Sequence, residues 1–165
     1  MRRKLIGVVA VIALLSSTSA FAAQPYLGLK FGAMNPDSSN LDPAWNVGVN
    51  LGWRIPNYDY FAIEGELTTS LLSGDVKSTN DDWTVSNVAA YGVFRAGSPK
   101  VMFKGKLGLG YWDLRVDDGP DDDGVDLTAG VGVDIALGGG LLEIEYTQIE
   151  PDLAFITAGF VFGFF

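Results

Sequence analysis

From Val125 to Leu137 the sequence alternates without interruption. Val125, Leu127, Ala129, Val131, Val133, Ile135 and Leu137 share one parity, and Asp126, Thr128, Gly130, Gly132 and Asp134 share the other. Successive side chains of a strand point to opposite faces, so this pattern predicts a strand with one apolar and one polar face. The pattern recurs. Trp45, Val47, Val49, Leu51 and Trp53 oppose Asn46, Gly48, Asn50, Gly52 and Arg54. Val101, Phe103, Leu107, Leu109 and Tyr111 oppose Lys104, Lys106, Gly108 and Gly110. Eight such segments are expected, near 25–34, 44–54, 60–71, 84–95, 101–114, 125–137, 141–149 and 153–164. Short breaks at 55–59, 96–100 and 138–140 alternate with acidic and mostly longer ones at 35–43, 72–83, 115–124 and 150–152. Tight turns at one end and longer loops at the other are the layout of a transmembrane barrel.

Alternation alone does not say which face is inside. Three features put the polar face in the lumen. The polar face is rich in glycine, which leaves room in a narrow barrel filled by its own side chains. Its charges balance: Lys30, Arg54, Arg95, Lys104 and Lys106 stand against Glu64, Glu66, Asp134, Glu143 and Glu145, as a buried ion-pair network requires. The apolar-face aromatics gather in two groups. Trp53, Phe61, Phe94, Phe103, Phe162 and Phe164 fall near the short turns, and Trp45, Tyr111 and Tyr146 near the long loops. Two such rings mark the interfaces of a membrane.

The N-terminal segment fits export. Arg2, Arg3 and Lys4 precede an apolar run from Leu5 to Leu15, and Ala20-Phe21-Ala22 is a small-x-small cleavage site. Eleven apolar residues are too few to span a bilayer, which needs about 20. Residues 1–22 are therefore read as a cleavable signal peptide and 23–165 as the barrel domain, a mature chain of 143 of the 165 residues. Removing three positive charges takes the formal net charge from −9 to −12, which argues against nucleic acid as a partner. No disulfide scaffold can form, because the chain has no cysteine.

At this point the residues resemble a known family. The signal segment, the eight strands, Val88-Ala89-Ala90-Tyr91-Gly92-Val93-Phe94-Arg95 before a proline-containing turn, Lys104-Gly105-Lys106-Leu107-Gly108, and Glu143-Ile144-Glu145-Tyr146 before the last strand look like the small outer-membrane β-barrel proteins. These are relatives of the transmembrane domain of outer-membrane protein A. The resemblance implies an eight-stranded antiparallel transmembrane β-barrel in the bacterial outer membrane, in contact with lipid and lipopolysaccharide. It also implies assembly by the outer-membrane insertion machinery, which reads a C-terminal strand with alternating apolar residues. Phe160, Phe162 and Phe164 match that signal, with Phe164 as the lipid-facing terminal aromatic and Phe165 as one extra residue. No counterpart of the peptidoglycan-binding domain of larger relatives is expected, so that role is not carried over. A monomer is expected, since a closed barrel offers no edge for pairing.

Chemistry is sparse. Lipid A-modifying barrels rely on histidine, and this chain has none. A Ser-His-Asp triad, a cysteine nucleophile and His- or Cys-ligated zinc are all excluded. Glu64 with Glu66 and Glu143 with Glu145 share strand faces, a spacing that suits acid–base chemistry, but the facing lysines and arginines give them a structural role first. Asp117, Asp118, Asp121, Asp122 and Asp123 form an acidic segment suited to a hard cation such as calcium. Its spacing is not that of an EF-hand, and no specific metal site or cofactor is expected. The external segments hold many carboxylates against only Lys77 and Arg115, a rim that would gather divalent cations and meet anionic lipopolysaccharide through them. The expected function is a non-enzymatic envelope protein with a plugged lumen that serves envelope integrity or surface interaction through its acidic loops. The alternatives are a narrow pore for ions or small solutes and, behind it, an enzyme acting on membrane lipid.

Overall fold

The computed structural model describes residues 24–79, 81–117, 119 and 121–164. The expected signal segment and Phe165 lie outside them. Among the described residues nine strands are seen: β1 (Pro25–Pro36), β2 (Ala44–Ile55), β3 (Tyr58–Leu72), β4 (Gly74–Val76), β5 (Asp81–Ser98), β6 (Val101–Val116), β7 (Asp122–Leu137), β8 (Gly140–Glu150) and β9 (Leu153–Phe162). The sheet runs β3-β2-β1-β9-β8-β7-β6-β5-β4, and pairing of β3 with β5 closes it. Strand β4 follows β3 after Ser73 alone and pairs with the start of β5. The two are parts of one stave, so the barrel has eight staves, all antiparallel.

The short turns are tighter than expected. Ile55 pairs with Tyr58, Ser98 with Val101 and Leu137 with Gly140, so each turn has two residues. Gly138 and Gly139 have φ of 60° and 94°. Two successive positive φ values make the turn that matches strand twist, and glycine adopts them without strain. At the opposite end the strands run further than expected: β6 reaches Val116, and β7 begins at Asp122 inside the acidic segment.

The outer surface carries an apolar belt. Leu27, Leu29, Ile63, Leu67, Phe103, Leu107, Leu109, Leu127, Val131, Ile144 and Ile156 are all exposed. Along β6 the belt runs from Val101 to Tyr111. Ten steps of about 3.3 Å, tilted about 40°, rise about 25 Å, the height of an outer-membrane apolar band. Tyr58 and Tyr60 join Phe61, Phe94, Phe103 and Phe162 on the exposed surface at the short-turn end, while Trp45, Tyr111 and Tyr146 are exposed at the other. No helix among the described residues is long and apolar enough to cross a membrane. The crossing is made by strands.

Polarity reverses above this belt. On β5 and β6, Trp83, Val85 and Trp112 point inward and are buried, with Leu114 and Val116 packed against them. Thr84, Ser86 and Arg115 are exposed on the other face. These strand ends have the arrangement of a water-soluble protein, apolar inside and polar outside.

Candidate functional site

The buried side chains inside the barrel lie in tiers. At the short-turn end Tyr26, Tyr91, Val93, Leu141, Val161 and Phe164 form an apolar cluster. At the loop end Met34, Trp83, Val85, Trp112, Ile149, Leu153 and Phe155 form a second. Between them lie Lys30, Arg95, Lys104 and Lys106 with Glu64, Glu66, Asp134, Glu143 and Glu145, all buried. The register brings them together: Glu143 lies opposite Asp134 across β7 and β8, and Arg95 lies opposite Lys104 across β5 and β6.

Lys104 is the hub. Its Nζ lies 2.7 Å from both Glu143 Oε2 and Glu145 Oε2, and 3.0 Å from Glu64 Oε2. Lys30 reaches Glu66 Oε2 at 2.7 Å and Glu145 Oε1 at 2.9 Å. Lys106 spans Glu66 at 2.9 Å and Glu145 at 2.7 Å. Arg95 donates through Nε to Asp134 at 2.7 Å and through Nη2 to Glu64 at 2.8 Å. The Tyr26 hydroxyl donates to Glu64 at 2.6 Å and accepts from Arg95 at 3.0 Å. Lysine stems need space on the opposite wall, and glycine provides it: a Cβ on Gly130 would stand 2.8 Å from Lys106 Cε. The two glutamate pairs are thus held by cations.

Two expected residues are placed differently. Arg54 makes no ion pair among the described residues. Its guanidinium sits 5.0 Å from the centre of the Phe164 ring, half-buried at the short-turn mouth. Lying opposite Ala62, it is below the carboxylates on β3. Phe164 was expected to face lipid, and instead it is buried in the lumen. It packs edge-on to Tyr26 at 5.3 Å and lies 4.9 Å from the Arg95 guanidinium. The cause is local. Gly163 has φ of 73°, so strand alternation ends at Phe162 and the next side chain turns inward. Phe160 and Phe162 stay on the outer surface with rings 4.8 Å apart.

The inward loop-end cluster was missed by sequence reasoning. Its signal was there: Trp83, Val85, Trp112, Phe155 and Ile149 all fall on the inward parity.

The acidic rim is only partly a loop. Asp122 and Asp123 belong to β7, Asp117 and Asp121 flank the connection, and Asp118 lies outside the described residues. Asp75 lies opposite Asp82, and Asp113 opposite Asp123. The two rim cations are each engaged: Lys77 with Asp42 at 3.0 Å and Arg115 with Asp113 at 2.9 Å. Burial, reinforced by Asp126, Asp152 and Asp122, raises the carboxyl of Glu150 above its ordinary range. Among the described residues no group of three or more acidic side chains is arranged to hold a metal ion.

A closed antiparallel barrel with buried charges on its inner face and an exposed apolar belt outside defines a class, the integral barrels of the outer membrane. The chain belongs to the outer membrane protein β-barrel domain family, whose model matches residues 7–164. Membership places it in the bacterial outer membrane. Its fold is similar to that of Neisserial surface protein A, at 15% identity with a TM-score of 0.61 over 86% of this chain and 96% of that one. The N-terminal barrel domain of OprF from Pseudomonas aeruginosa is similar at 12% identity and a TM-score of 0.56, covering 85% and 98%. Ail, the attachment invasion locus protein of Yersinia pestis, is similar at 19% identity and a TM-score of 0.51, covering 85% and 97%. No curated protein matches the sequence significantly.

Proposed function

We propose that this chain is a non-enzymatic, closed outer-membrane barrel that holds an acidic rim against the lipopolysaccharide surface and serves envelope integrity or surface interaction. The filled lumen carries the reading: two apolar clusters bracket a buried ion-pair tier, so the barrel acts as an anchor. The carboxylates spaced for acid–base chemistry are engaged with lysine and arginine. The rim supports the second half. Like charges placed opposite each other across strands destabilise the pair, and Asp75 with Asp82 and Asp113 with Asp123 do so at the surface. Divalent cations would relieve that repulsion and bridge to lipopolysaccharide phosphates. The signal segment would direct export and be cleaved after Ala22, and the insertion machinery would read the outward Phe160 and Phe162. With every stave paired, no strand edge calls for a partner, and the barrel works as a monomer.

Planar-bilayer conductance of the folded protein is the test. Silence is expected. Reproducible current steps would overturn the closed lumen and favour a narrow pore. For the rim, binding to lipopolysaccharide should strengthen with magnesium and weaken with a chelator; mass analysis of the lipid afterwards should show no modification.

A further inference from the structure

The strand glycines are of two kinds. Gly28, Gly52, Gly108 and Gly159 lie on the inward parity, and a Cβ on any of them would collide with a neighbour. Gly65, Gly92 and Gly105 lie on the outward parity and have no such reason. A Cβ on Gly65 or Gly105 would meet nothing within 4 Å, and one on Gly92 only the Leu107 carbonyl oxygen at 3.8 Å, an ordinary contact. None of the three has a positive φ. Pairing runs through them without a bulge. Glycine weakens a strand and marks a bulge, a bend or a place where something approaches the backbone closely. With no bulge and no left-handed turn, close approach from outside remains.

The absent side chains leave a hollow of about 710 Å³ in the outer wall. Gly92, Gly105 and Ala129 form its floor, one each on β5, β6 and β7, and the exposed Phe61, Ile63, Phe94, Leu107 and Val131 stand around it. Gly65 floors a second hollow of about 370 Å³ that meets the first at Ile63. A second barrel is convex and would rest on the surrounding side chains without reaching the floor. A thin, flexible hydrocarbon chain can follow it. A counter-charge for a headgroup lies below. Lys100, on the two-residue turn that joins β5 to β6, is exposed and makes no ion pair among the described residues. Gly105 is five residues further along β6. Five steps of about 3.3 Å, tilted about 40°, rise about 13 Å, half the height of the belt. Lys100 therefore stands one leaflet's depth from the hollow, at the end that faces the periplasm.

We propose that the wall formed by β3, β5, β6 and β7 binds one glycerophospholipid of the periplasmic leaflet, with an acyl chain in the hollow and its phosphate on Lys100. Lipid is as apolar as the belt, so hydrophobicity alone holds no particular molecule. Discrimination comes from close packing against bare backbone, as between membrane helices with small residues at their contacts, and from the lysine, which takes phosphate as a point charge. The site lies on the outer wall and stands whether or not the lumen conducts.

Native mass spectrometry of the folded protein, extracted from outer membranes into mild detergent, tests it. One phospholipid per barrel is expected. Gly92→Leu combined with Gly105→Leu fills the hollow from the outside and should cut retention at least tenfold. Lys100→Glu should lower it too. Ala158→Leu, on the outward face of β9, should change nothing. A folded wild type that retains no phospholipid, or holds lipopolysaccharide in its place, would overturn the site. Retention unchanged in the filled variant would overturn it equally. A two-chain species that the filled variant loses would assign the hollow to a second copy instead. A second measurement needs no variant and decides the matter if the filled barrel does not fold. Phosphatidylethanolamine with a diazirine on one acyl chain, in phosphatidylethanolamine–phosphatidylglycerol vesicles holding the wild type, should label β5 and β6 around Gly92 and Gly105. Labelling spread evenly around the belt would refute the site.

Discussion

The membrane belt and the strand ends above it belong to the same staves but solve opposite problems. Within the belt the solvent is lipid, so Leu107, Leu109, Val131 and Ile156 face out and the charges face in. Above it the solvent is water. Trp83, Trp112 and Phe155 face in, while Thr84, Ser86 and Arg115 face out. Backbone pairing continues through the change: β5 and β6 stay in register from Trp83–Val116 to Ser98–Val101. One hydrogen-bonded cylinder can therefore serve two solvents, and side-chain parity alone marks where one ends and the other begins.

The strongest way to break the comparison is at Lys104. Reversing its charge with Lys104→Glu adds a carboxylate beside Glu64, Glu143 and Glu145. Removing one partner of a buried pair costs about 3–5 kcal/mol, and reversal costs more. The folded band in heat-shifted gel mobility should be lost, whereas reversal of Arg115 at the rim should leave it. Next comes Trp83→Ala, which empties the centre of the loop-end cluster and costs about 3–5 kcal/mol. Its effect should be local: protease should cut the outer ends faster while the belt stays protected. A wild-type digestion pattern would mean that the cap is not a separate unit. Third, Val131→Arg on the lipid face should lower the urea midpoint by about 2–4 kcal/mol in stability, whereas Ser86→Arg above the belt should change it by about 0.5 kcal/mol or less. Equal costs would place the membrane boundary elsewhere. The smallest effect concerns Glu150. Its carboxyl is raised by burial and by acidic neighbours, so the native rim holds that proton more tightly than the unfolded chain does. Stability should fall slightly as pH rises through and above the ordinary glutamate range, near 4.3. Glu150→Gln should flatten that slope, as read from unfolding midpoints between pH 4 and 7.

The belt was legible in the sequence because lipid demands an unbroken apolar parity over many residues, as from Val125 to Leu137. The ion-pair residues were legible for the same reason, since charges on the inward parity can only meet one another. What was not legible depended on single departures from alternation. Arg54 falls on the right parity but too near a turn to reach a carboxylate. Phe164 also counts correctly from Phe162, yet the one left-handed residue at Gly163 turns it into the lumen. The loop-end cap was hidden by a different logic: inward apolar residues look like errors in a membrane barrel until the strands are known to outlast the membrane. The rim segment 115–124 likewise read as a loop, although β6 runs on to Val116 and Asp122–Gly124 pair with Trp112–Leu114. A deletion meant to spare the staves must stop at Asp121.

The inward turn at Gly163 bears on how the cylinder shuts. Strands β1 and β9 meet along ten paired positions, from Leu27–Phe162 to Pro36–Leu153, and they join the first stave to the last. Just past that seam Phe164 inserts beside Tyr26 of β1 and Arg95 of β5. Unzipping from the short-turn end must first withdraw that ring from both walls. The seam therefore carries a bolt at the end where it would otherwise fray, and a side chain that belongs to no strand adds to the barrel's resistance to opening.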